Sequence, residues 1–265
     1  MINKICNIRE GVLKQQPLIH CITNPISINQ CANAILSLGA KPIMAEHPEE
    51  VCEITDTADA LMLNIGNITD ARMKSMMLAL QCAKNKGIPV LLDAVGIACS
   101  GFRRTYVLNL LNTSVPFVIK GNYSEIMALY HAEYVSSGVD ADDSVDVCHI
   151  TQTATELSRK YQTVILATGQ TDVITDGKRM VHVQNGTPEL ASVTGTGCML
   201  GAVCSAFMTS ARPMEGAIAA CVYLGICGEL AKTEKGNGSF MVNLMDKISI
   251  LDKETIAKHM KMEEK

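Results

Sequence analysis

Short apolar segments alternate with amphipathic helical patterns along most of this chain, and this alternation limits the folds that it can adopt. The segments Asp59–Ile65 (DALMLNI) and Ile88–Asp93 (IPVLLD) are almost continuously apolar. This is typical of strands that are covered by other elements on both faces. Over Ser27–Leu38, by contrast, apolar residues recur at the spacing of one helix face. The alternation predicts an α/β fold with a mostly parallel sheet and helices on both of its faces.

The same patterns predict the remaining elements. Two alternating runs within Asp172–Val183 flank Asp176-Gly177, a strong signal for a two-residue hairpin turn that adds an antiparallel edge. Asn122 and Glu125 have the spacing of a reciprocal capping box at a helix start. Further predicted strands are Pro17–Thr23, Lys41–Met44, Pro116–Lys120 and Thr163–Thr168, and further predicted helices are Pro48–Asp56, Thr69–Lys86, Gly101–Asn112, Asn122–Tyr130, Val145–Tyr161 and a last one from Ser239.

The bulk properties exclude several classes of protein. The 265 residues show no linker, repeat or low-complexity segment, and we expect residues 1–265 to form a single domain. A net charge of -4 without a basic run argues against a nucleic-acid partner. The N-terminus has no apolar signal core, and the apolar segments Cys198–Ala211 and Ala217–Ala231 are shorter than the ~20 residues that span a bilayer. We therefore expect two core helices, no membrane partner and a cytoplasmic protein.

Eleven cysteines are scattered through the chain, and no two of them form a Cys-x-x-Cys pair. Without a secretory signal, this pattern predicts neither a disulfide framework nor a zinc site. Several cysteines fall in apolar helical patterns, where we expect small core side chains: Cys31, Cys82, Cys204, Cys221 and Cys227.

A glycine-containing loop, Val193–Cys198 (VTGTGC), precedes a long run of small and apolar residues. This order predicts a tight turn that leads directly into a buried helix. The free N–H groups and partial positive charge at a helix start can bind a phosphate, and glycines let the backbone approach it closely. The loop is therefore a candidate phosphate cradle with the Cys198 thiol at its edge. The alternative is a turn that only packs a helix tightly onto the sheet.

Polar residues follow several predicted strands, at the edge of the sheet where ligands bind in folds of this class. Asp93 is a candidate for holding Mg²⁺ directly or through water, although an aspartate can also cap a turn there. Glu125 can reach a metal-bound water while it caps its helix. Lys120 can neutralise a phosphate oxygen, unless it is a solvated surface lysine. Together with Thr168 and the loop, these residues can converge on one crevice.

The motifs of several other enzyme classes are absent. The sequence has no dinucleotide fingerprint, no P-loop, no His-Glu-x-x-His and no Gly-x-Ser-x-Gly. His20 and His47 are isolated, and we expect packed or surface side chains rather than ligands at both positions.

In a series of segments the chain resembles the hydroxyethylthiazole kinases, the ribokinase-like enzymes of thiamine salvage. The matching segments cover nearly the whole chain in order: PLIHCITNPISINQCANAILSLGAKPIMAEHPEEV, LMLNIGNIT, IPVLLDAVG, VIKGNYSEI, VILATGQTDVITDG and VTGTGCMLGAV, with a weaker match in GNGSF. The combination of ITN, MA-x-x-PEE and VTGTGC is specific to this family within its superfamily.

The resemblance implies a ribokinase-like three-layer sandwich that phosphorylates the primary alcohol of 4-methyl-5-(2-hydroxyethyl)thiazole with ATP and Mg²⁺. It also implies a homotrimer with active sites between subunits. Cys198 stands where related sugar kinases have an aspartate base, and it is the implied catalytic residue. The other implied site residues are Asn24, Met44 and Gly195 for the thiazole, Lys120, Thr168 and Gly197 for the nucleotide, and Asp93 and Glu125 for Mg²⁺.

A few positions depart from the family pattern. Ala94 stands where proline is usual, so we expect a looser turn after Asp93. Lys120 stands where arginine is common and offers a point charge instead of a planar fork. Pro25–Ser27 replaces a more hydrophobic stretch, and Asn237 replaces a proline.

Other functions are compatible with parts of the sequence. Another ribokinase-like kinase, for example of a pyrimidine alcohol, would share the fold and the phosphate chemistry. A cysteine-dependent hydrolase would use Cys198 as its nucleophile, but no motif supplies a histidine partner. A non-catalytic thiazole or nucleotide sensor is a further alternative, and the intact set of Asp93, Glu125 and Gly195–Cys198 argues against it.

Overall fold

The computed structural model describes residues 1–131 and 146–265, and in this part of the chain the strands form one nine-stranded sheet. Strands β1 to β6 pair in parallel, and the last three pair antiparallel. In chain order the strands are β1 (Leu18–Ile22), β2 (Lys41–Ile43), β3 (Ala60–Asn64), β4 (Val90–Asp93), β5 (Val118–Asn122), β6 (Val164–Thr168), β7 (Asp172–Thr175), β8 (Met180–Val183) and β9 (Met262–Glu264). Across the sheet their order is β2-β1-β3-β4-β5-β6-β7-β8-β9.

Helices cover both faces of this sheet, as the alternating pattern predicts. One layer contains α1 (Ile2–Gln15), α2 (Ile28–Ser37), α8 (Thr196–Met208), α9 (Pro213–Ala231), α10 (Asn237–Ile250) and α11 (Lys253–His259). The other layer contains α3 (Val51–Thr57), α4 (Asp70–Lys86), α5 (Gly101–Thr113), α6 (Tyr123–Tyr130) and α7 (Val147–Tyr161). The architecture is therefore a three-layer sandwich.

The apolar strands are continuous in sequence because each of their two faces meets a different core. In β3, Met62 packs into the core under α8 and α9, whereas Leu61 and Leu63 pack into the core under α4 to α7. All five residues of β3 are buried as a result. A strand of this kind needs apolar side chains on both faces.

The predicted helix boundaries that rest on capping residues are confirmed. The Thr69 side chain accepts the N–H of Arg72 at the start of α4, and Gly87 ends that helix with a left-handed φ of 78°. Asn122 and Glu125 form the predicted reciprocal capping box at the start of α6. The predicted start of α7 at Val145 lies outside the described residues, which resume just before that helix.

Some elements are missing from the prediction. Neither α1, α11 nor β9 was predicted, although Ile5, Ile8 and Val12 give α1 a buried apolar face. The hairpin is present but its loop is longer than two residues, since Thr175 pairs with Met180. The predicted role of this hairpin as the edge is also wrong, because β9 pairs with β8 and forms that edge.

The cysteine prediction needs one correction. Cys82 is not a free core thiol: it is half-buried and forms a disulfide with Cys52, which joins α4 to α3. No local motif marks this pair, since the two residues are separated by 30 positions. The other predicted core cysteines, Cys31, Cys204, Cys221 and Cys227, are buried free thiols.

One helix in the described part of the chain, Pro213–Ala231, is long and apolar enough to cross a membrane. Of an 18-residue stretch of this helix, 83% is buried inside the protein. Its apolar surface therefore belongs to the core between the sheet and α10.

Candidate active site

Adjacent strands place polar side chains next to one another near the carboxyl edge of the sheet. β3 ends at Asn64 and β4 ends at Asp93, and the strand register pairs Asn64 with Asp93 and Asp93 with Lys120 of β5. Register-paired residues on neighbouring strands point to the same face of a sheet. All three therefore face α8, where a Cβ on Gly201 would lie 3.7 Å from Asp93 Oδ2.

Asp93 and Lys120 form a buried ion pair. Lys120 Nζ lies 3.0 Å from Asp93 Oδ1, with side chains that are 5% and 0% exposed. Burial lowers the pKa of Lys120, but the acidic groups around it, Asp93 foremost, together more than offset this effect, and the pKa lies above its ordinary value. Burial also raises the pKa of Asp93 against the opposing charge of Lys120. Lys120 is thus an interior charge and not a solvated surface lysine.

Glu125 closes the capping box of α6 from a buried position. Its Oε2 accepts the N–H of Asn122 and its Oε1 accepts the N–H of Gly96, each at 2.7 Å. Burial and the nearby charge of Asp93 raise the pKa of Glu125 to about 7. One carboxyl group therefore joins the turn after β4 to the turn after β5.

The glycine loop opens α8 as predicted. Gly195 has a φ of 93°, in the left-handed region that favours glycine, and a Cβ there would lie 3.3 Å from Ser27 Cβ. No side chain caps the first N–H groups of α8. Gly197 is exposed, and a Cβ there would lie 4.0 Å from Lys120 Nζ. The helix start and the interior lysine therefore meet at one place.

The Cys198 sulfur accepts hydrogen bonds from two asparagine side chains. Asn64 Nδ2 lies 3.2 Å and Asn24 Nδ2 lies 3.4 Å from the sulfur, and Asn24 Nδ2 also donates to Asn64 Oδ1 at 3.2 Å. Asn24 follows from the family resemblance, whereas Asn64 was missed by the sequence analysis. The signal for Asn64 was available, since it ends an apolar strand just as Asp93 does.

The remaining candidate residues lie on neighbouring strands. Thr168 ends β6 opposite Asn122, and its hydroxyl donates to the Gly121 carbonyl at 3.3 Å. Met44 follows β2, which is separated from β4 and Asp93 by β1 and β3, and it is half-buried against the core. The structure thus brings Asn24, Asp93, Lys120 and Cys198 together and leaves Thr168 and Met44 to either side. Their assignment to nucleotide and thiazole stays a prediction.

Two departures from the family pattern form hydrogen bonds. The N–H of Ala94 donates to the Lys120 carbonyl at 2.8 Å, a bond that proline cannot make. We expected Ala94 to make the turn after Asp93 looser than a proline would. Its N–H instead adds a hydrogen bond that holds the turn to β5. Asn237 Nδ2 donates to the Ser192 carbonyl at 3.1 Å and ties the start of α10 to the glycine loop.

Comparison with known proteins identifies the family. The model of the hydroxyethylthiazole kinase family matches residues 10–254. The chain belongs to the hydroxyethylthiazole kinase family. A relative from Clostridium botulinum strain Langeland, hydroxyethylthiazole kinase 2, is 43% identical over 264 residues, which cover 96% of this chain and 98% of the relative.

Solved structures agree with this hydroxyethylthiazole kinase assignment. The hydroxyethylthiazole kinase protein from Pyrococcus horikoshii OT3 superimposes with a TM-score of 0.92 at 34% identity, and the match covers 99% of each chain. A ribokinase-like superfamily protein from Enterococcus faecalis V583 superimposes with a TM-score of 0.63 at 15% identity, covering 92% of this chain and 95% of the other. This second likeness shows the fold alone, and the predicted ribokinase-like α/β fold is confirmed.

Proposed function

We propose that this chain transfers a phosphoryl group from ATP to the primary alcohol of 4-methyl-5-(2-hydroxyethyl)thiazole, as a step of thiamine salvage. The proposal depends on the position of Cys198 near the uncapped start of α8. There its sulfur lies within hydrogen-bond distance of Asn24 and Asn64, beside the buried Asp93–Lys120 pair. The family membership supports the thiazole alcohol as acceptor, since the relatives carry the name of that substrate.

Phosphoryl transfer requires mainly positioning and neutralisation of charge. The backbone N–H groups of residues 195–198 stabilise the oxygens of the group in transfer, and Lys120 adds a positive charge beside them. The acceptor hydroxyl lies against Cys198. As its oxygen bonds to the γ-phosphorus, the bond from that phosphorus to the ADP oxygen breaks, and the hydroxyl proton leaves to the sulfur or to solvent. Because the proton leaves late in a loose transition state, a strong base is not required.

Asp93 and Glu125 fit a cation that is held through water. The two buried carboxyl groups have one neighbouring cation, Lys120, and burial raises the pKa of both; a cation bound nearby would oppose that rise and favour their charged forms. Each of their oxygens already accepts an N–H group from the protein, which favours contact through water over direct ligation. Mg²⁺ commonly keeps several waters in protein sites and, when bound, draws charge from the phosphates of ATP.

The surroundings of Cys198 disfavour a cysteine hydrolase. A nucleophilic cysteine needs a base such as histidine within hydrogen-bond reach. Both donors to the Cys198 sulfur are asparagine amides, which cannot take up its proton. The ring nitrogens of His20 are bonded to Thr55 and to the Ala45 carbonyl, so this histidine is a packed side chain.

We also propose that the chain acts as one kinase domain within a homotrimer whose active sites lie between subunits. The support is the family resemblance and the exposure of Ile26, whose side chain is 62% exposed between the buried residues Asn24 and Ser27. An exposed isoleucine within a pocket segment suits a site that a second subunit completes.

The test is an assay of the purified protein with ATP, Mg²⁺ and the thiazole alcohol, in which ADP and the phosphorylated thiazole are both quantified by chromatography and mass spectrometry. We expect equal amounts of the two products. A matched reaction with a hydroxymethylpyrimidine should give neither. ADP without phosphorylated thiazole would contradict the proposed acceptor, and a phosphorylated pyrimidine as the main product would assign the enzyme to another kinase of this fold.

A further inference from the structure

The side-chain amide of Asn64 uses all of its hydrogen-bonding capacity inside the site. Nδ2 donates to Asp93 Oδ2 at 3.0 Å and to Cys198 Sγ at 3.2 Å. Oδ1 accepts the N–H of Gly66 at 2.9 Å and Asn24 Nδ2 at 3.2 Å. An asparagine amide has two N–H donors and two acceptor lone pairs. Asn64 is fully buried, so each of these bonds is made to the protein.

These partners determine the orientation of the amide. Asp93 forms an ion pair with Lys120, in which its carboxylate accepts hydrogen bonds, and the Gly66 N–H can only donate one. A rotation that exchanged Oδ1 and Nδ2 would place two acceptors together at Asp93 and two donors together at Gly66. The amide of Asn64 therefore has one acceptable orientation, and that orientation directs an N–H group at Cys198.

Gly66 makes room for this arrangement. A Cβ at this position would lie 2.9 Å from Asn24 Nδ2 and 2.9 Å from Asn64 Oδ1, closer than a real Cβ contact. The segment Asn64-Ile65-Gly66 thus supplies both the amide of Asn64 and the space for Asn24, which follows β1.

We propose that Asn64 is a positioning residue, which holds the Cys198 sulfur and the Asp93 carboxylate at a fixed separation for transfer to the acceptor. This role rests on the proposed kinase function and deepens it. The amides of Asn24 and Asn64 bind the sulfur from the side of β1 and β3, so the opposite side of the sulfur faces the acceptor hydroxyl. A misplacement of about 1 Å in such a site can lower the rate about 100-fold.

The first test is Asn64→Asp, which keeps the shape of the side chain and its acceptor oxygen, replaces the N–H donors to Asp93 and Cys198, and adds a carboxyl group beside Asp93. We expect kcat to fall at least 30-fold while the KM for ATP stays within threefold. In a Cys198→Ala background the same substitution should cost at least tenfold less, because part of its effect passes through the sulfur. Asn243→Asp, on α10 and outside the site, is the matched control and should leave kcat unchanged. Equal losses in both backgrounds would overturn the proposal.

The second test does not depend on kinase activity. Carbamidomethylation of Cys198 by iodoacetamide is followed by peptide mass spectrometry, with the exposed thiols Cys99 and Cys148 as internal references. N–H donors stabilise the thiolate, which is the form that reacts. We expect Asn64→Asp to slow the reaction of Cys198 at least threefold and to leave both references unchanged.

Gly66→Ala displaces the same amides without adding a charge, so it separates the position of the amides from the charge that Asn64→Asp introduces. It also replaces Asn64→Asp if that variant does not fold. It should also slow the alkylation of Cys198 at least threefold. If the parent makes no phosphorylated thiazole but the alkylation result holds, the proposed function fails and the coupling of Asn64 to Cys198 stands. An unchanged alkylation rate in Gly66→Ala would overturn the positioning role, whatever the parent phosphorylates and whatever the rate in Asn64→Asp.

Discussion

The ion pair of Asp93 and Lys120 is expected to contribute both to the stability of the fold and to catalysis. The two groups are 3.0 Å apart and buried, and Lys120 also faces the glycine loop. Removing one partner of such a pair leaves an uncompensated buried charge, which costs about 3–5 kcal/mol. In the sequence, the two residues are separate candidates, one for Mg²⁺ and one for a phosphate oxygen. In the structure they form one pair, so a change in either residue affects both stability and activity.

We expect Asp93→Ala to lower the turnover number at least tenfold and to lower the free energy of unfolding by about 3–5 kcal/mol. The double variant with Lys120→Met should recover most of that stability, because neither member of the pair is left as an unpaired buried charge, but it should recover none of the activity. Urea unfolding and steady-state kinetics of the parent, Asp93→Ala and the double variant provide the comparison. If Asp93→Ala is as stable as the parent, the pair is not buried in solution.

Cys198 is expected to assist transfer without forming a covalent bond. Cys198→Ser keeps an acceptor for the amides of Asn24 and Asn64, so measurable kinase activity should survive. Cys198→Asp supplies the base of related sugar kinases and should match or exceed the parent rate. ATP or the thiazole alcohol should protect the thiol from alkylation. A fully inactive serine variant, together with a phosphorylated Cys198 trapped in the parent, would refute this one-step mechanism.

We expect the stability of the protein to depend on pH through Asp172, which is not one of the residues proposed to hold Mg²⁺. Burial raises the pKa of Asp172 from 3.8 to about 6, so the folded chain holds this proton more tightly than the unfolded chain. The stabilisation is complete below about pH 4 and is lost as the pH rises to about 6, by up to about 3 kcal/mol.

Asp172→Asn keeps the acceptor for the Gly169 N–H, which lies 3.1 Å from Oδ1, and removes the titration. Between pH 4 and 6 the free energy of unfolding of the parent should fall relative to that of the variant. Other groups, including His20, titrate equally in both proteins and cancel in the difference. Parallel curves from denaturant titrations would show that Asp172 has an ordinary pKa.

At the residue scale, sequence reasoning could identify single polar side chains but not their pairing. Asp93, Lys120 and Glu125 stand out as polar residues after apolar strands. Strand register makes Lys120 a buried partner of Asp93. Register and the close approach of α8 together let Asn64 donate hydrogen bonds to both Asp93 and Cys198. Register depends on contacts between distant segments, and no local pattern encodes it.

At the scale of elements, local signals predicted those parts whose backbone needs a particular residue. The caps of α4 and α6 and the glycine turn before α8 are of this kind. The edge strand β9 has no such signal, since its exposed glutamates show no apolar alternation and its bonds to β8 are made by the backbone. The disulfide between α3 and α4 likewise depends on the packing of two helices.

The two glycines at the start of α8 should respond differently to alanine. Gly195 combines a φ of 93° with a tight approach to Ser27, so Gly195→Ala should lower both stability, by about 1 kcal/mol or more, and activity. Gly197 lies in the first turn of the helix, where an added Cβ would make only an ordinary contact at 4.0 Å from Lys120 Nζ, so Gly197→Ala should leave stability equal or slightly higher. Its methyl group faces Lys120, and the KM for ATP should therefore rise.

Thermal unfolding and ATP titrations of both glycine variants measure these effects. A Gly197→Ala variant with unchanged ATP kinetics would remove the helix start from the phosphate site. A Gly195→Ala variant as stable as the parent would contradict the strained turn.

At the scale of the whole molecule, the parallel part of the sheet explains why the site could be anticipated at all. Parallel strands bring their carboxyl ends to one edge, so residues far apart in sequence meet there. The two cores on either side of the sheet fix that edge from both faces. The exposure of Ile26, next to buried residues of the predicted pocket, supports the proposal that a second subunit completes the site.

Ile26 provides the test of assembly. It is 62% exposed, whereas its neighbours Asn24 and Ser27 are 7% and 1% exposed. We expect light scattering after size exclusion to give three times the chain mass of 28.5 kDa. A charge at an apolar subunit contact is costly, so Ile26→Asp should dissociate the trimer and lower kcat/KM for the thiazole alcohol at least tenfold.

Ile250→Asp is the matched control for this experiment, because Ile250 is 64% exposed but lies at the far end of α10. That variant should keep the mass and the activity of the parent. A parent that is a fully active monomer would overturn the shared site. An Ile26→Asp variant that stays trimeric but loses activity would place Ile26 in the thiazole pocket and outside the subunit contact, since its charge would then act on the substrate alone.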